Sequence, residues 1–270
     1  ESGGLVGRFH ASSGGTATIT DSSSSASVSG KFRIGGLVGV QYADGNSSNT
    51  IMNSFSTGTV TGNQANWDAG VGGLAGFQEA FGGTATISNS YHSTGLVRNL
   101  GNGSVGGLVG LQNTNTNSAT ISNSYNTAGV TGTNFVGGLV GSGYGIISNS
   151  YSTGAVLGAG SNVGGLLGAS NGTVTGGYWD TITSGQTVSA GGTGLTTAQM
   201  MTQASYTGWD FTNVWWMSET NTRPFLRSEY STSIGNAHQL QLMALNRGAS
   251  YTLARDIDMG ELSQASGLWN

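Results

Sequence analysis

Along the first two-thirds of the chain, apolar residues recur in one short phrase, shown by Val136-Gly137-Gly138-Leu139-Val140-Gly141. Its Gly-Gly-Leu-Val-Gly core begins at Gly3, Gly35, Gly72, Gly106, Gly137 and Gly164, with Ala75 and Leu167 in the Val position of the third and sixth copies. Successive starts lie 32, 37, 34, 31 and 27 residues apart. Self-similarity at such a period marks a solenoid or propeller, in which each unit buries its apolar face only against its neighbours.

A second phrase follows the first. It reads Ile51-Met52-Asn53-Ser54-Phe55, Ile87-Ser88-Asn89-Ser90-Tyr91, Ile121-Ser122-Asn123-Ser124-Tyr125 and Ile147-Ser148-Asn149-Ser150-Tyr151, with weaker copies at Ile19 to Ser23 and Val174 to Tyr178. A third, shorter phrase appears at Gly58 to Gly62, Gly129 to Gly132 and Gly154 to Gly158. Three strand-like phrases separated by Gly, Ser, Asn and Thr predict an all-β parallel β-helix, or β-solenoid, with one three-strand coil per 27–37-residue repeat. Coils spaced by about 4.8 Å would make a rod roughly 29 Å long.

Strand side chains alternate with a period of two, so Ile, Asn and Tyr of the second phrase are expected to point inward and its two Ser residues outward. An inward amide needs a partner. Asn53, Asn89, Asn123 and Asn149 are therefore predicted to form an amide ladder along the rod. Phe55, Tyr91, Tyr125, Tyr151 and Tyr178 are predicted to form an aromatic stack, each contact adding about 0.5–1.5 kcal/mol beyond area burial. Both columns read as fold-building ladders and not as ligand sites. The Gly pair permits a tight turn, a positive φ or close approach between coils, and without a following helix it does not read as a phosphate loop.

The repeat stops at Tyr178-Trp179-Asp180. Residues 1–180 form the predicted β-helix, 181–232 a connector with a short helix and a Trp-rich packing segment, and 233–270 a helix and strand that would open a following array. Thr196 to Gln199 and Asn236 to Gln239 have capping-box spacing, so short helices are expected in the C-terminal third. The first should run to about Gln203. Leu240, Met243 and Leu245 should be the buried marks of the second, with Gly248 ending it. Tyr251 to Ala254 alternates as a strand, and Pro224 sits in an extended segment. Trp209, Trp215 and Trp216 form the densest aromatic patch, expected to plug the side or end of the rod, since left exposed it would aggregate.

Composition sharpens the picture. Charged residues make up 7% of the chain and 49 of its 270 residues are glycine, against averages of about 25% and 7%. The surface must therefore be built from Ser, Thr, Asn and Gly. Eight basic and twelve acidic residues give a formal charge of −4 with no basic cluster, which argues against nucleic acid as a partner. Regular Ile, Val, Leu and Tyr positions argue against disorder. No cysteine is present, so disulfides and thiolate metal sites are excluded. No apolar run approaches the roughly 18 residues of a membrane span, and no secretory leader opens the segment, so no membrane insertion is expected.

The phrases resemble the GLUG motif, a repeat named for its Gly-Leu-x-Gly core and found in large bacterial surface proteins, including haemagglutinin-like exoproteins of two-partner secretion. The resemblance covers residues 3 to 178 and extends to Gly194-Leu195-Thr196-Thr197-Ala198-Gln199-Met200 and to Leu240 through Asp258. It implies a right-handed β-helix, secreted to the bacterial cell surface, serving attachment, aggregation or biofilm cohesion. The chain then reads as an internal piece of something longer.

Expected partners are a host or neighbouring-cell surface receptor or an extracellular polysaccharide. A self-assembling filament, associating end to end, is the first alternative. A polysaccharide-degrading β-helical enzyme is the second, but Asp21, Asp44, Asp68 and Glu79 sit in different units, and His10 and His92 lack matched partners. No catalytic residue, cofactor or metal site is therefore assigned. Variable insertions such as Gln41 to Ser48, Asn63 to Asp68 and Gln78 to Phe81 are where partner contacts are expected. Outward Ser and Thr rows also permit ice binding, although Thr does not recur in a strict two-column array.

Overall fold

The computed structural model describes residues 1–270 apart from 64, 65, 67, 68, 116, 117 and 270. Asp68 and most of the Asn63 to Asp68 insertion lie outside the described residues. The rest of the repeat region is a parallel β-solenoid with four sheets along its length. Partners across one of them run Val6, Val38, Ala75, Val109, Val140 and Leu167. Across the next they run Ile19, Ile51, Ile87, Ile121, Ile147 and Val174.

The first phrase accounts for the fourth sheet, because it straddles a corner. Ile34–Gly35 belongs to one sheet and Val38–Asp44 to another. Leu37, Leu74, Leu108, Leu139 and Leu166 fill that corner and pack with the Ile column as one buried core. A second core joins Ile34, Val71, Val105 and Val136 to Val60, Val97, Val130 and Val156 of the third phrase. The Gly pair serves close approach and not positive φ. A Cβ on Gly36 would lie 2.1 Å from the carbonyl oxygen of Gly73, and one on Gly35 only 2.0 Å from that of Val38, distances no side chain survives.

The second phrase departs from simple alternation. Asn53, Asn89, Asn123 and Asn149 have φ of 49°, 46°, 46° and 45°, and Asp21 and Gly176 at the equivalent places have 49° and 61°. This is the left-handed region, which Asn, Asp and Gly tolerate best. A residue there turns the chain and resets the two-residue period. The Ser after it consequently points inward and the Tyr after that points outward, which reverses the inward Asn and Tyr and the outward second Ser inferred from the sequence. The first Ser of each phrase, such as Ser88 and Ser122, stays on the outer face and is half-buried.

Ser54, Ser90, Ser124 and Ser150 are wholly buried, and they form the polar ladder. Each hydroxyl donates to the carbonyl two residues earlier, as Ser124 does to Ser122 at 2.7 Å. Each also accepts the backbone N–H of the preceding unit's serine, as Ser124 Oγ does from Ser90 at 3.3 Å and Ser150 Oγ from Ser124 at 3.1 Å. The Asn amides make no ladder. Asn53 Nδ2 donates to Asp21 Oδ1 at 3.3 Å, while Oδ1 of Asn53 and of Asn89 is buried without a hydrogen-bond partner.

A buried amide column does exist, at Gln41, Gln78 and Gln112. Gln112 Nε2 donates to Gln78 Oε1 at 3.0 Å, and Gln41 and Gln78 donate to carbonyls of the facing sheet. The Gln41 to Ser48 and Gln78 to Phe81 segments, read as insertions, are thus largely strand, and Gln41 and Gln78 are interior. On the outer face, Thr18, Thr50, Thr86 and Thr120 stand in register until Ile146 interrupts them.

Residues 195 to 269 lie back along the solenoid and cover its tyrosine side. Thr197–Met200 is helical with the predicted capping box from Thr196 and Gln199, and ends short of Gln203 in a separate turn at Gln203–Ser205. Ala237–Leu242 is the second helix. Asn236 Oδ1 caps it by accepting from Gln239 N at 2.9 Å. Its buried residues are Ala237, His238 and Leu242, not Leu240, and a tighter turn at Met243–Leu245 ends it before Gly248. Phe225–Leu226, after Pro224, pairs antiparallel with Trp215–Trp216. Thr252–Leu253 pairs with Ser233–Ile234 and is exposed.

Candidate functional site at the aromatic column

The outward tyrosines stack with little tilt. Ring centroids lie 4.9 Å apart for Phe55 and Tyr91, 4.8 Å for Tyr91 and Tyr125 and 5.1 Å for Tyr125 and Tyr151, with interplanar angles of 2°, 1° and 6°. Tyr178 is in register with Tyr151 but leaves the stack. It meets Tyr206 edge-on and lies against Trp209. The aromatic ladder predicted from Phe55 through Tyr178 therefore ends at Tyr151, because Trp209 packs against both Tyr151 and Tyr178.

The C-terminal segment seals this column. Trp215, Phe225, Leu226, Leu242 and Leu268 are fully buried against it. Polar bonds fix the lid in place. Tyr151 Oη donates to the carbonyl of Pro224 at 2.7 Å, and Thr153 Oγ1 to that of Ser266 at 2.5 Å. Arg223 is wholly buried and reaches Asp180 Oδ2 at 2.7 Å, with further bonds to the carbonyls of Gly267 and Ala265. Asp180 Oδ1 accepts from the N–H groups of Ile182 and Thr183 and from Thr197 Oγ1, so the carboxylate is fully used.

Halfway along the column sits a buried charge network that no sequence motif marked. His238 Nδ1 donates to Glu229 Oε2 and Nε2 to Glu261 Oε2 at 2.9 Å. The Tyr125 hydroxyl donates to Glu229 Oε1 at 3.0 Å. The His238 ring also lies 5.3 Å from that of Tyr91. Burial by itself would depress the imidazole, but Glu261 and Glu229 together outweigh it and hold His238 up at about 10. It is a cation at neutral pH. Burial, with Glu229 nearby, pushes the hydroxyls of Tyr91 and Tyr125 well above the ordinary tyrosine value. They stay neutral donors.

At the other end the column stops at Phe55, since the first unit places Ser23 in register with it. Phe55 is only half-buried. Two cavities flank it, of about 360 and 280 Å³, and both are lined by Phe55, Tyr91 and Asn236. The larger also touches His238, Glu261 and Arg255. The smaller touches Asn53, Asn89 and Glu229. Among the described residues, Glu261 Oε1, Asn53 Oδ1 and Asn89 Oδ1 are buried without a hydrogen-bond donor.

The acids noted in the repeats stay apart. Asp44 pairs with His10 at 3.0 Å, Glu79 accepts from Asn113, and Asp21 accepts from Asn53. His92 is buried inside the solenoid in register with Ser56 and Asn126, with Nδ1 3.0 Å from Ser56 Oγ. Burial lowers it to about 4. Among the described residues, no group of three His, Asp or Glu side chains is placed to hold a metal ion. Glu229, His238 and Glu261 carry no sequence signal because the outer two lie 32 positions apart in varied sequence, and only the fold brings them together.

Comparison with known proteins finds no matching family model and no matching solved structure. The chain is 39% identical over 89 residues to a protein of Evansella cellulosilytica named "Putative Gly-rich membrane protein". That likeness covers 30% of the chain and 10% of the relative. No helix among the described residues is long and apolar enough to cross a membrane.

Proposed function

We propose that the chain is a non-catalytic segment of a secreted bacterial surface adhesin, a right-handed β-helical rod of one coil per 27–37-residue repeat that serves cell attachment, aggregation or biofilm cohesion. The observation that carries this reading is the unbroken parallel register from Val6 to Leu167, joined to a surface made largely of uncharged Ser, Thr, Asn and Gly. Such a stack resists bending because every unit is hydrogen-bonded to the next. Many weak contacts along a stiff rod add up to firm attachment without any single strong site. The partial likeness to a Gly-rich membrane protein is compatible with a place at the cell envelope. Its partner is a surface receptor or an extracellular polysaccharide.

Self-association end to end is the competing reading. Ser2–Gly3, Val6–Ala11 and Thr16–Thr20 are the outermost strands of their sheets, and outer strands can pair with further chains. Binding of the purified chain to bacterial cells and to immobilised polysaccharides, beside sedimentation velocity over a hundredfold range of concentration, separates the two. Saturable attachment by a monomer supports the adhesin. Concentration-dependent polymers that attach to nothing favour the filament, and release of new reducing ends from a polysaccharide would restore the enzyme.

A further inference from the structure

We propose that the uncovered face of Phe55 is a binding subsite for one sugar ring of a polysaccharide. The idea deepens the adhesin reading and rests on it for its biological setting, though its chemistry stands on the site alone. In the column every ring from Tyr91 to Tyr151 has an aromatic neighbour on both sides or lies under Trp209 and Trp215. Phe55 has Tyr91 on one side and Ser23 on the other. It is a flat apolar platform at the edge of a cavity whose volume falls in the usual range for small-ligand sites. The C–H face of a pyranose is the natural complement to such a ring.

The polar lining agrees. Glu261 lines the cavity and is 7% exposed with its Oε2 taken by His238, and the exposed carboxylates of Asp256 and Asp258 line the same cavity. Carboxylate acceptors beside an open ring face suit a ligand rich in hydroxyl groups. The rim supplies donors in return, from Thr57 and the Arg255 side chain. A ligand that both donates and accepts around an apolar face describes a sugar. An organic cation needs no donors from the protein and is usually caged by several rings, whereas here one ring face is open.

Saturation-transfer NMR of the full chain with a panel of methyl glycosides, and with tetramethylammonium as the cation probe, tests this. At least one glycoside should bind, Phe55→Ala should weaken it by about tenfold, and Ser23→Tyr should abolish it by continuing the stack across the open face. Ser23→Tyr should also raise the melting temperature, so lost binding cannot be lost folding. No response to any glycoside, full binding in Ser23→Tyr, or binding of tetramethylammonium alone overturns the subsite. A chain that attaches to cells without binding any glycoside sinks the subsite and spares the adhesin. A chain that binds a glycoside yet attaches to nothing does the reverse.

Discussion

Tyr125 and Glu229 are 104 residues apart in sequence, and the tyrosine hydroxyl donates to Glu229 Oε1 at 3.0 Å beneath the folded-back C-terminal segment. The repeat and the segment after it are thereby one structure. The solenoid offers a row of tyrosines whose rings would otherwise face water, and the tail supplies both the apolar cover and the charged partner for one of their hydroxyls. Glu229 also accepts the backbone N–H of Leu226 at 3.0 Å, so the carboxylate ties the lid to the column.

Tyr125→Phe keeps the stack and removes that donor. It should cost about 1.5–3 kcal/mol, the range for a buried hydrogen bond to a charged group, and should loosen the lid before the solenoid. Urea titrations followed by tryptophan fluorescence, to which Trp209, Trp215, Trp216 and Trp269 of the lid contribute beside Trp179 of the solenoid, measure this when compared with far-UV circular dichroism of the strands. An unchanged midpoint would show that the lid holds without Glu229.

Stability should fall as pH rises above neutrality. The His238 imidazole is held at about 10 in the folded chain against about 6.5 when unfolded. Its contribution is therefore complete below about pH 6.5 and disappears as pH climbs toward 10. Melting temperatures across that window should decline in the native chain, and His238→Gln, less stable throughout, should lack the decline. Parallel slopes in the two proteins would contradict the ion network.

His92 imposes the opposite dependence at acid pH. Burial lowers it to about 4, so the neutral ring is accommodated fully above about pH 6.5 and its contribution is lost as pH falls through 4. His92→Asn copies Asn126, its partner one unit away, and carries no titrating group. Its melting temperature should fall less than that of the native chain between pH 6.5 and 4. Superimposable acid profiles would mean the ring does not stay buried there.

The corner of the second phrase yields a paired test. Ser124→Ala leaves the Ser90 N–H without an acceptor and the Ser122 carbonyl without its hydroxyl donor, a loss of about 1–3 kcal/mol. Asn123→Gly keeps the left-handed turn and should be nearly neutral, while Asn123→Leu should cost about 1–2 kcal/mol from backbone conformation alone. Chemical denaturation ranks them. A large cost for Asn123→Gly would mean that the amide, and not the turn, holds the corner.

Much of this was open to reading in the chain itself. The recurrence of Gly-Gly-Leu-Val-Gly implied stacked units, and the aligned Ile, Val and Leu positions implied their interior, since a parallel stack places like on like. The aromatic column from Phe55 to Tyr151 was legible for the same reason. Its side of the wall was not. Period-two alternation assumes continuous strand, and a single left-handed Asn exchanged inside for outside at every residue that followed.

The sequence by itself determined the periodic part of this protein, because each unit repeats its neighbour's contacts and a local pattern is enough to specify them. Only the tertiary structure decided the remainder: that residues 195 to 269 turn back over the tyrosines, that Glu229, His238 and Glu261 meet there, and that Phe55 is left with an open face. Those contacts join segments with no shared pattern, and their partners are chosen by shape and charge once the chain has folded.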